Sequence, residues 1–531
     1  TAGPGLTNTI TAVKNAQMAQ SPLVLLGGAT LGILKGRGSL QDIDQQGLFG
    51  GMVKWQVSIS RVADIVPLLE KAFRIARSGV PGPVFVELPL DLLYPEDVIR
   101  EQLLSKMSSG GTKNNKQKRT SIFKKMEILY IRYYLYRLFG KASTEPHYES
   151  APLPVASCKA TNNQVQKAFS YLSNSQRPVI VVGSQAMMDR SQVEAVVSAL
   201  QTLGLPVFLA GMARGCLGSN SDLHMRHGRS KALKQADVVL LLGVSCDFRM
   251  QYGMVFSSKT TLVSVNQDSH ELYLNRRPTL PIHSSVPDFL VRLASVWSAK
   301  NIDSVGLTTS RKDWQFRLRE ACNKREEEIQ QQATSSVTST VSTKQHLCNP
   351  IAICQLFDQH LSDESILVCD GGDFVGTAAY TVRPRGALSW LDPGPFGTLG
   401  VGAGFALGAK LVCPNKDVWI IWGDGSCGFS LMEVDTFVRH RVPVKAMVGN
   451  DACWTQISRD QTSIFKSEVA CNLDFSRYDH VAEALGGKGF LVTSNAEMET
   501  ALLQSQHESD KPVLINVLIG KTNFRDGSIS V

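Results

Sequence analysis

Two apolar runs in the C-terminal third of the sequence each end in a polar turn that contains glycine. They read Val418-Trp419-Ile420-Ile421-Trp422-Gly423-Asp424-Gly425-Ser426-Cys427 and Pro443-Val444-Lys445-Ala446-Met447-Val448-Gly449-Asn450-Asp451. Short apolar runs bounded by glycine and separated by a helical stretch indicate two parallel strands of a βαβ unit. Ligands bind at the carboxyl ends of the strands in such sheets. Because Asp424 and Asn450 both follow a strand end, we expect them to meet at one point.

The groups at this point suit a divalent cation and a phosphorylated ligand. A carboxylate, an amide oxygen and a nearby backbone carbonyl are the hard oxygen ligands that Mg²⁺ takes when it also bridges substrate phosphates. Gly423, Gly425 and Gly428 would let backbone amides approach those phosphates closely. An ordinary turn of a nucleotide-binding fold is the alternative, because Gly-Asp-Gly alone occurs by chance in many loops.

The complete pattern resembles the signature of thiamine-diphosphate (ThDP) enzymes, in which Gly-Asp-Gly is followed at similar spacing by Asn-Asn. Gly449 stands in place of the first Asn, and the second, which binds metal in the family, is present as Asn450. The resemblance implies that Asp424, Asn450 and the carbonyl of Ala452 hold Mg²⁺ on the cofactor diphosphate. The residues that it assigns to the cofactor in this stretch are Gly423, Gly425, Ser426, Cys427 and Asn450.

Two segments before this stretch extend the resemblance. Ile366-Leu367-Val368-Cys369-Asp370 reads as a strand that runs into Gly371 and Gly372, a candidate turn beside the phosphates. Residues 392–404 resemble the family's Gly-Thr-Met-Gly stretch, which implies that the Gly397 carbonyl accepts from the cofactor's 4′-amino group. By the same match Leu399 would be the apolar wedge that bends the cofactor. A helix-packing contact is the alternative role for Leu399.

The N-terminal region shows motifs of the acetolactate synthase superfamily in the same order. Gly3-Pro4-Gly5-x-x-Asn8, Leu40-Gln41-Asp42 and Pro81-Gly82-Pro83-Val84 resemble its pyrimidine-binding domain. The resemblance implies that Gln41 or Asp42 faces the reacting carbon of the neighbouring subunit and moves a proton there. The family's catalytic glutamate precedes the Gly-Pro-Gly turn, so its counterpart is expected before Thr1.

The central region resembles that of oxalyl-CoA decarboxylases and 2-hydroxyacyl-CoA lyases, on the order Arg-Gly, Arg-Ser-x-Ala-Leu and Ala-Asp-Val-Val-Leu-Leu-Leu-Gly. Arg214 and Arg229 are therefore candidate ligands for the phosphates of CoA or an adenine nucleotide, since arginine recognises phosphate in a bidentate manner. Each could equally be a solvated surface arginine, and the region could be a structural spacer. Whether FAD or ADP binds there stays open.

These patterns predict an α/β protein with three flavodoxin-like or Rossmann-like parallel-sheet domains, of which the first lacks its N-terminal part. The predicted boundaries are 1–98 for the pyrimidine-binding domain, 99–155 for a basic loop and an amphipathic aromatic helix, 156–298 for the central domain, 299–348 for a linker with a charged helix, and 349–531 for the diphosphate-binding domain.

Composition narrows the possible partners. The chain has a formal charge of +8 over 531 residues, and no array of basic residues with interleaved aromatics stands at nucleic-acid spacing, so we interpret the excess as diffuse and expect no nucleic-acid partner. The eleven cysteines form no Cys-x-x-Cys pair, which argues against a zinc site and favours a reducing compartment. No apolar run is long enough to span a membrane.

The segment Ile122–Phe139 is rich in aromatic and aliphatic residues and carries four basic residues. As a helix it could lie in a membrane interface with its basic groups extending outward. A helix that packs on its own protein is an equal alternative. Together with the resemblance, this segment predicts a location at the cytosolic face of the endoplasmic reticulum membrane, with the mitochondrion or cytosol as alternatives.

The function that the resemblance implies is ThDP- and Mg²⁺-dependent carbon–carbon bond cleavage. The nearest group is the eukaryotic acetolactate-synthase-like, or 2-hydroxyacyl-CoA lyase, group. Its implied substrate is a 2-hydroxy fatty acyl-CoA, cleaved to formyl-CoA and an aldehyde one carbon shorter, as in fatty acid α-oxidation. A homodimer or homotetramer is implied as well. Acetolactate-synthase-type condensation of 2-keto acids and a non-catalytic relative are the alternatives.

Overall fold

The structure is a computed structural model that describes residues 1–108, 122–140, 155, 157–300, 309–339 and 346–526. The chain forms two compact units, Thr1–Ser157 and Cys158–Val531. Each unit is built from parallel strands with helices between them. None of the described helices is long and apolar enough to cross a membrane.

The first unit contains a small parallel sheet. Its elements are α1 (Pro4–Thr7), α2 (Ile10–Met18), β1 (Leu23–Ala29), α3 (Gln45–Phe49), β2 (Gln56–Ser58), α4 (Ile65–Arg77), β3 (Pro83–Pro89), α5 (Glu96–Ser108) and α6 (Ile122–Phe139). The strand order is β1-β3-β2, and the apolar central strand β3 is buried along most of its length. Phe49 from α3 packs against Phe85 of β3 with ring centroids 4.8 Å apart, which closes one side of the core.

Helix α6 packs on the first unit along one side only. Ile131, Leu135 and Leu138 are buried at helical spacing, so they form a continuous apolar stripe. The Tyr134 hydroxyl donates a hydrogen bond to the carboxylate of Asp91, which is fully buried. The predicted helix is therefore present, and one of its faces is fixed to its own protein.

The second unit begins with a five-stranded parallel sheet. Its elements are α7 (Asn162–Asn174), β4 (Pro178–Val182), α8 (Val193–Leu203), β5 (Val207–Leu209), α9 (Arg229–Gln235), β6 (Val238–Leu242), β7 (Thr261–Asn266), β8 (Leu280–His283), α10 (Val286–Ala299) and α11 (Thr309–Gln332). The strand order is β5-β4-β6-β7-β8. Strands β4 and β6 are apolar and buried throughout because helices cover both faces of the sheet.

The last sheet has six parallel strands in the order β10-β9-β11-β12-β14-β13. Its elements are α12 (Pro350–His360), β9 (Ile366–Asp370), α13 (Asp373–Thr381), β10 (Trp390–Leu391), α14 (Gly402–Val412), β11 (Val418–Gly423), α15 (Asp424–Ser430), α16 (Val434–Arg439), β12 (Lys445–Asn450), α17 (Thr455–Phe465), α18 (Tyr478–Ala484), β13 (Lys488–Val492), α19 (Asn495–Gln506) and β14 (Val513–Leu518). Three parallel sheets with intervening helices confirm the predicted α/β fold.

Candidate active site

Strands β9, β11 and β12 are neighbours, and their carboxyl ends form one edge of the last sheet. Gly423 at the end of β11 is paired with Gly449 of β12, so the next residues along each strand, Asp424 and Asn450, lie side by side. The two polar residues therefore meet at one edge, as the sequence predicts. Parallel strands lie about 4.8 Å apart, a separation at which the two side chains can share one ligand.

Asp424 is a buried carboxylate without a cationic partner among the described residues. Its Oδ2 accepts from the backbone N–H of Cys453 at 3.1 Å, and its Oδ1 accepts from that of Gly425 at 2.8 Å. Burial raises the pKa of Asp424 above its ordinary value. Burial and the neighbouring Asp424 charge also raise the pKa of Asp451. Two desolvated carboxylates in one place are stabilised by a divalent cation, so this donor set fits Mg²⁺.

Asn450 is held in place by its amide nitrogen. Its Nδ2 donates to the Ser476 carbonyl at 3.1 Å and to Asn516 Oδ1 at 3.2 Å. Its Oδ1 accepts from the backbone N–H of Ala452 at 3.3 Å. The amide is thus fixed with its oxygen toward the loop that follows β12, and its role as a metal ligand stays a prediction.

The loop after β12 turns sharply at Ala452, which is fully buried and has φ +53°. Its carbonyl accepts a hydrogen bond from Leu473 N–H at 2.7 Å. A carbonyl oxygen has two lone pairs, so one remains for a cation. The assignment of this carbonyl to the metal stays a prediction.

Two glycines are required by close contacts at this edge. A Cβ on Gly425 would lie 2.3 Å from the Trp454 ring, and a Cβ on Gly371 would overlap the Leu399 side chain at 2.0 Å. Gly371 also has φ +63°, a left-handed conformation that glycine adopts without strain. The turn after β11 can therefore approach Trp454, and the turn after β9 can approach Leu399, only with glycine at these two positions.

Gly449, the departure from the family's Asn-Asn pair, is explained by Phe374. A Cβ on Gly449 would lie 2.2 Å from Phe374 Cγ, and Phe374 is almost completely buried. The aromatic ring thus takes the space in which a side chain at position 449 would lie.

Replacing Gly449 with alanine is expected to lower the free energy of unfolding by about 1–3 kcal/mol, because the added methyl group overpacks the Phe374 ring. Urea denaturation measures the change. Gly404→Ala, at a helical position with open space, is the matched control and should be neutral or stabilising. Adding Phe374→Leu to Gly449→Ala should restore stability, and a failure to do so would contradict the packing explanation.

Asp370, at the end of β9, organises the neighbouring loop. Its fully buried carboxylate accepts from Gly400 N–H at 3.0 Å, Gly402 N–H at 2.8 Å and Trp422 Nε1–H at 3.0 Å. Its own backbone carbonyl accepts from the Ser426 hydroxyl. This single residue therefore connects the loop that carries Leu399 to two adjacent strand ends.

These turns enclose a cavity of about 330 Å³. Of the predicted cofactor and metal residues, the following line it: Gly371, Gly372, Gly397, Leu399, Gly423, Asp424, Gly425 and Ser426. Asn450 and Ala452, which are fully buried, do not line it, and neither does Cys427, which is fully buried in the apolar core beside Trp422 and Leu431. The predicted cofactor contact of Cys427 is therefore restricted to its backbone atoms.

A second cavity, of about 450 Å³, lies between the two sheets of the second unit and contains both predicted phosphate-binding arginines. Arg214 donates to the Ala379 carbonyl at 3.2 Å and stacks over the Trp390 ring at 5.0 Å. Arg229 donates to the Arg249 carbonyl at 3.2 Å. Burial, and then the charge of Arg214, lower the pKa of Arg229, so positive charge in this cavity is incompletely balanced.

Sequence reasoning missed two further groups of this cavity. Arg226 donates to the Tyr380 carbonyl at 2.9 Å and pairs with Glu326 at 2.7 Å, and His227 Nε2–H donates to the same carboxylate at 3.0 Å. The Nδ1 of His227 has no hydrogen-bond partner among the described residues. The Arg-His-x-Arg sequence at residues 226–229, where α9 begins, is the signal that could have drawn attention to them.

Gln41 and Asp42 lie in the first unit, in the loop before α3. Gln41 is exposed with φ +62°, and Asp42 accepts a hydrogen bond from Gly36 N–H at 2.6 Å. Nearby, the buried Glu87 pairs with Lys35 at 2.6 Å and accepts from Gln45 at 2.9 Å. The proton-transfer role of Gln41 and Asp42 stays a prediction.

Comparison with known proteins identifies the family and supports the fold. Sequence profiles of the thiamine pyrophosphate enzymes match at residues 1–48 (N-terminal TPP binding domain), 165–293 (central domain) and 370–517 (C-terminal TPP binding domain). A protein of Danio rerio named 2-hydroxyacyl-CoA lyase 2 is 46% identical over 542 residues, which is 100% of this chain and 82% of that protein. The chain belongs to the thiamine pyrophosphate enzyme family.

Other relatives agree with this assignment. The Homo sapiens protein of the same name is 47% identical over 539 residues, covering 100% of this chain and 81% of that protein. An acetolactate synthase large subunit of Mycobacterium tuberculosis is 30% identical over 526 residues, covering 98% and 83%. The predicted resemblance, the enzymatic nature of the chain and its ThDP and Mg²⁺ cofactors are confirmed.

The first cavity of this thiamine pyrophosphate enzyme fits its cofactor. Its glycine turns leave room for phosphates, and the buried carboxylates provide a place for Mg²⁺. ThDP, when bound, supplies carbanion stabilisation. The protein would hold and orient the cofactor, and Trp390, Trp454 and Leu399 in the cavity wall would exclude water from it.

Two cavity-lining residues of the thiamine pyrophosphate fold also escaped sequence reasoning. Asp451 adjoins the predicted ligand Asn450, and Arg525 reaches the cavity from the C-terminal segment, where its guanidinium stacks over Tyr380 at 5.1 Å and lies 4.0 Å from Asp373. Asp451 could have been noticed in the Gly-Asn-Asp motif itself. The position of Arg525 depends on tertiary packing and leaves no local signal.

Proposed function

We propose that the chain is a ThDP- and Mg²⁺-dependent lyase that cleaves a 2-hydroxyacyl-CoA into formyl-CoA and an aldehyde one carbon shorter. The observation that carries the proposal is the pairing of two cavities in the second unit. Ala379 of α13 lines both the cofactor cavity and the arginine-rich cavity. A ligand with a reactive carbonyl at one end and phosphates at the other suits this arrangement.

The proposed reaction needs no oxidant. The bond between C1 and C2 breaks, the 2-hydroxyl proton is removed as the aldehyde forms, and C1 gains a proton to give formyl-CoA. We assign the movement of the hydroxyl proton to Gln41 or Asp42, as the family resemblance implies. The names of the relatives from Danio rerio and Homo sapiens support the lyase activity and the acyl-CoA substrate class.

The arginine-rich cavity supports a CoA substrate over a simple 2-keto acid. Arg214, Arg226 and Arg229 all line it, and burial lowers the pKa of Arg226 and Arg229. Burial, and then the charge of Arg226, also lower the pKa of His224 to about 3, so this ring stays neutral. Phosphate groups of CoA would offset the excess positive charge through charge-assisted hydrogen bonds.

The cofactor cavity also supports a fatty acyl chain. Its wall includes the apolar side chains of Phe374, Trp454 and Ile457, and more than half of Ile457 is exposed. Apolar side chains at the wall of a cavity favour an alkyl chain through burial of apolar surface. We therefore propose 2-hydroxy fatty acyl-CoA, and hence fatty acid α-oxidation, as the physiological substrate class.

Product analysis with the purified protein, ThDP and Mg²⁺ tests the activity. We expect formyl-CoA and a shortened aldehyde from 2-hydroxyacyl-CoA, and no product from pyruvate. Acetolactate from pyruvate would favour the second candidate, which the relative from Mycobacterium tuberculosis supports. No turnover of either substrate, together with no ThDP binding, would favour a non-catalytic role.

Replacing Arg229 with glutamine is expected to raise the KM for 2-hydroxyacyl-CoA by about 10–100-fold with little change in kcat, because a charge-assisted phosphate contact is worth about 1.5–3 kcal/mol. Steady-state kinetics measure both constants. A thioester of N-acetylcysteamine, which lacks the CoA phosphates, should be unaffected. Arg190→Gln, at an exposed position, is the matched control. Equal effects on both substrates would contradict phosphate binding in this cavity.

We also propose a homodimer or homotetramer that is located at the cytosolic face of the endoplasmic reticulum membrane. The exposure of Gln41 supports an active site completed by a second subunit. Eleven cysteines without a disulfide support a reducing compartment. Mass photometry and subcellular fractionation test the two proposals, and a monomer or a purely mitochondrial or cytosolic protein would contradict them.

A further inference from the structure

Helix α6 presents an apolar surface on both sides, although it packs on the first unit with only one of them. Ile131, Leu135 and Leu138 face the unit and are buried. The opposite side carries five large exposed residues, Met126, Leu129, Tyr130, Tyr133 and Tyr136, which we call the aromatic face. At 3.6 residues per turn these five positions are grouped on the side away from the buried stripe. A helix that is apolar on both sides normally has a partner on each.

Basic residues flank the aromatic face. Lys125 and Arg132 lie along one border of it, and Arg137 lies along the other, as helical geometry requires. All three are exposed, and none pairs with an acidic residue within the part of the chain that the structure describes. Tyrosines with long basic side chains beside them are the residues found at membrane–water interfaces, where the rings lie at headgroup level and the charges extend outward.

The excess positive charge of the chain is concentrated in the segment of the sequence that contains this helix. The sequence from Lys106 to Lys141 contains ten lysines and arginines and one acidic residue, a formal charge of +9, whereas the whole chain has +8. The rest of the protein is therefore close to neutral, and the interpretation of the excess as diffuse is wrong. A segment this basic, with an aromatic helix face within it, has the charge that complements an anionic lipid surface.

A pocket adjoins the C-terminal end of the aromatic face. Tyr136 and Arg137 line it together with Ser60, Arg61 and Asp64, and its volume is about 370 Å³. Arg61 is held by Asp64 at 2.7 Å, whereas Arg137 has no ion pair among the described residues. Arg137 is thus available for a lipid phosphate beside the tyrosine rings.

We propose that the aromatic face of α6 docks the protein on the surface of an anionic lipid bilayer. The rings of Tyr130, Tyr133 and Tyr136 insert at headgroup level, and Lys125, Arg132 and Arg137 contact lipid phosphates. The opposite stripe of α6 stays packed on the first unit, so docking needs no rearrangement of the helix. The aromatic face shares no residue with the cofactor cavity. If the proposed fatty acyl-CoA substrate is correct, docking would bring the enzyme to the membrane in which long acyl chains partition.

Vesicle flotation of the 531-residue chain tests the proposal. We expect binding to vesicles that contain phosphatidylserine, little binding to pure phosphatidylcholine, and weakening with salt. Arg132→Glu/Arg137→Glu should lower the partition coefficient at least about tenfold, since each basic residue near an anionic surface is worth about a factor of five. Arg177→Glu/Arg190→Glu, at exposed positions of the second unit, is the charge-matched control and should bind like the parent.

A second pair of variants separates the ring contribution from the charge. Tyr133→Ser/Tyr136→Ser removes rings that are 58% and 64% exposed, and Tyr252→Ser/Tyr273→Ser removes rings that are 55% and 48% exposed elsewhere. Only the first pair should lose vesicle binding. The proposal is overturned by equal binding of both pairs, by equal binding to neutral vesicles, by binding of an RNA probe without vesicle binding, or by self-association that depends on the aromatic face without vesicle binding.

Discussion

Replacing Asp424 with asparagine is expected to abolish Mg²⁺-dependent ThDP binding while the protein stays folded. The carboxylate lies at the sheet edge beside Asn450 and lacks a cationic partner among the described residues. Asparagine has nearly the same shape and can still accept from the Cys453 N–H, which Asp424 contacts at 3.1 Å, although its amide nitrogen then faces the Gly425 N–H and a small loss of stability is expected. It removes the negative charge that the cation requires. We expect at least about a 100-fold loss of ThDP affinity in Mg²⁺, since changes even in the groups that support metal ligands cost 10–100-fold.

Fluorescence of Trp390 and Trp454, which line the cofactor cavity, provides the titration signal. Asp363→Asn, at an exposed position of the same sheet domain, is the matched control and should bind ThDP like the parent. Thermal unfolding without ligand should give a Tm within a few degrees of the parent for both variants. Unchanged ThDP affinity in Asp424→Asn would contradict the metal assignment.

The stabilisation by Mg²⁺ is expected to increase with pH. Burial raises the pKa of Asp424 and of Asp451, so between their unfolded value of about 3.9 and the raised folded values the folded state binds more protons than the unfolded state. The free energy of unfolding of the metal-free protein therefore falls as pH rises through this window. Mg²⁺ binds the deprotonated carboxylates and offsets this loss. Thermal unfolding with and without Mg²⁺ at pH 5 and pH 8 measures the stabilisation by Mg²⁺. A larger stabilisation at pH 5 than at pH 8 would contradict the prediction.

Replacing Asp370 with asparagine is expected to lower the free energy of unfolding by about 2–4 kcal/mol and to weaken ThDP binding. Its Oδ2 accepts from both Gly402 N–H and Trp422 Nε1–H, so an amide nitrogen there would place donors against donors. A buried donor that loses its partner costs about 1–3 kcal/mol. Rotating the amide would transfer the conflict to Gly400, because that N–H donates to Oδ1.

The effect on ThDP follows from the position of Leu399. The loop between Gly397 and Gly402 carries this side chain into the cofactor cavity, and Asp370 holds the loop's C-terminal end. Urea denaturation and ThDP titration are both measured, with Asp363→Asn again as the exposed control. Full stability with unchanged ThDP affinity would show that Asp370 does not position this loop.

The fold was predictable because its central strands are uninterrupted apolar runs. Val418–Gly423 and Lys445–Asn450 are buried along their whole length, and glycine marks the end of each apolar run. The meeting of Asp424 and Asn450 followed from the same pattern, since parallel strands end at one edge. The ThDP motifs then extended the prediction of the fold from this one sheet edge to the whole chain.

Contacts between distant segments were not predictable from the sequence. Asp370 binds groups at positions 400, 402 and 422, and Phe374 excludes a side chain from position 449. Asp370 ends a predicted strand, but its hydrogen bonds, like the contact of Phe374 with position 449, depend on which strands become neighbours. The buried position of the Cys427 side chain has the same cause, since its helix packs on the strand that contains Trp422.

The distribution of charge shows a second limit of prediction from the sequence. Net charge over the whole chain hid the basic cluster around α6, because acidic residues elsewhere balance the remaining lysines and arginines. The exposed and buried sides of α6 also became distinguishable only once Tyr134 was seen to bind Asp91. The spacing of apolar residues alone did not distinguish the two sides, since both sides of this helix are apolar.

The fate of C1 in a 2-hydroxyacyl-CoA labelled with ¹³C at its thioester carbonyl tests the central claim most directly. The protein is incubated with ThDP, Mg²⁺ and the labelled substrate, and the products are identified by mass spectrometry. The two-cavity arrangement predicts that the label appears in formyl-CoA and that the shortened aldehyde is unlabelled. Label in the aldehyde, or turnover of pyruvate with none of the acyl-CoA, would contradict it.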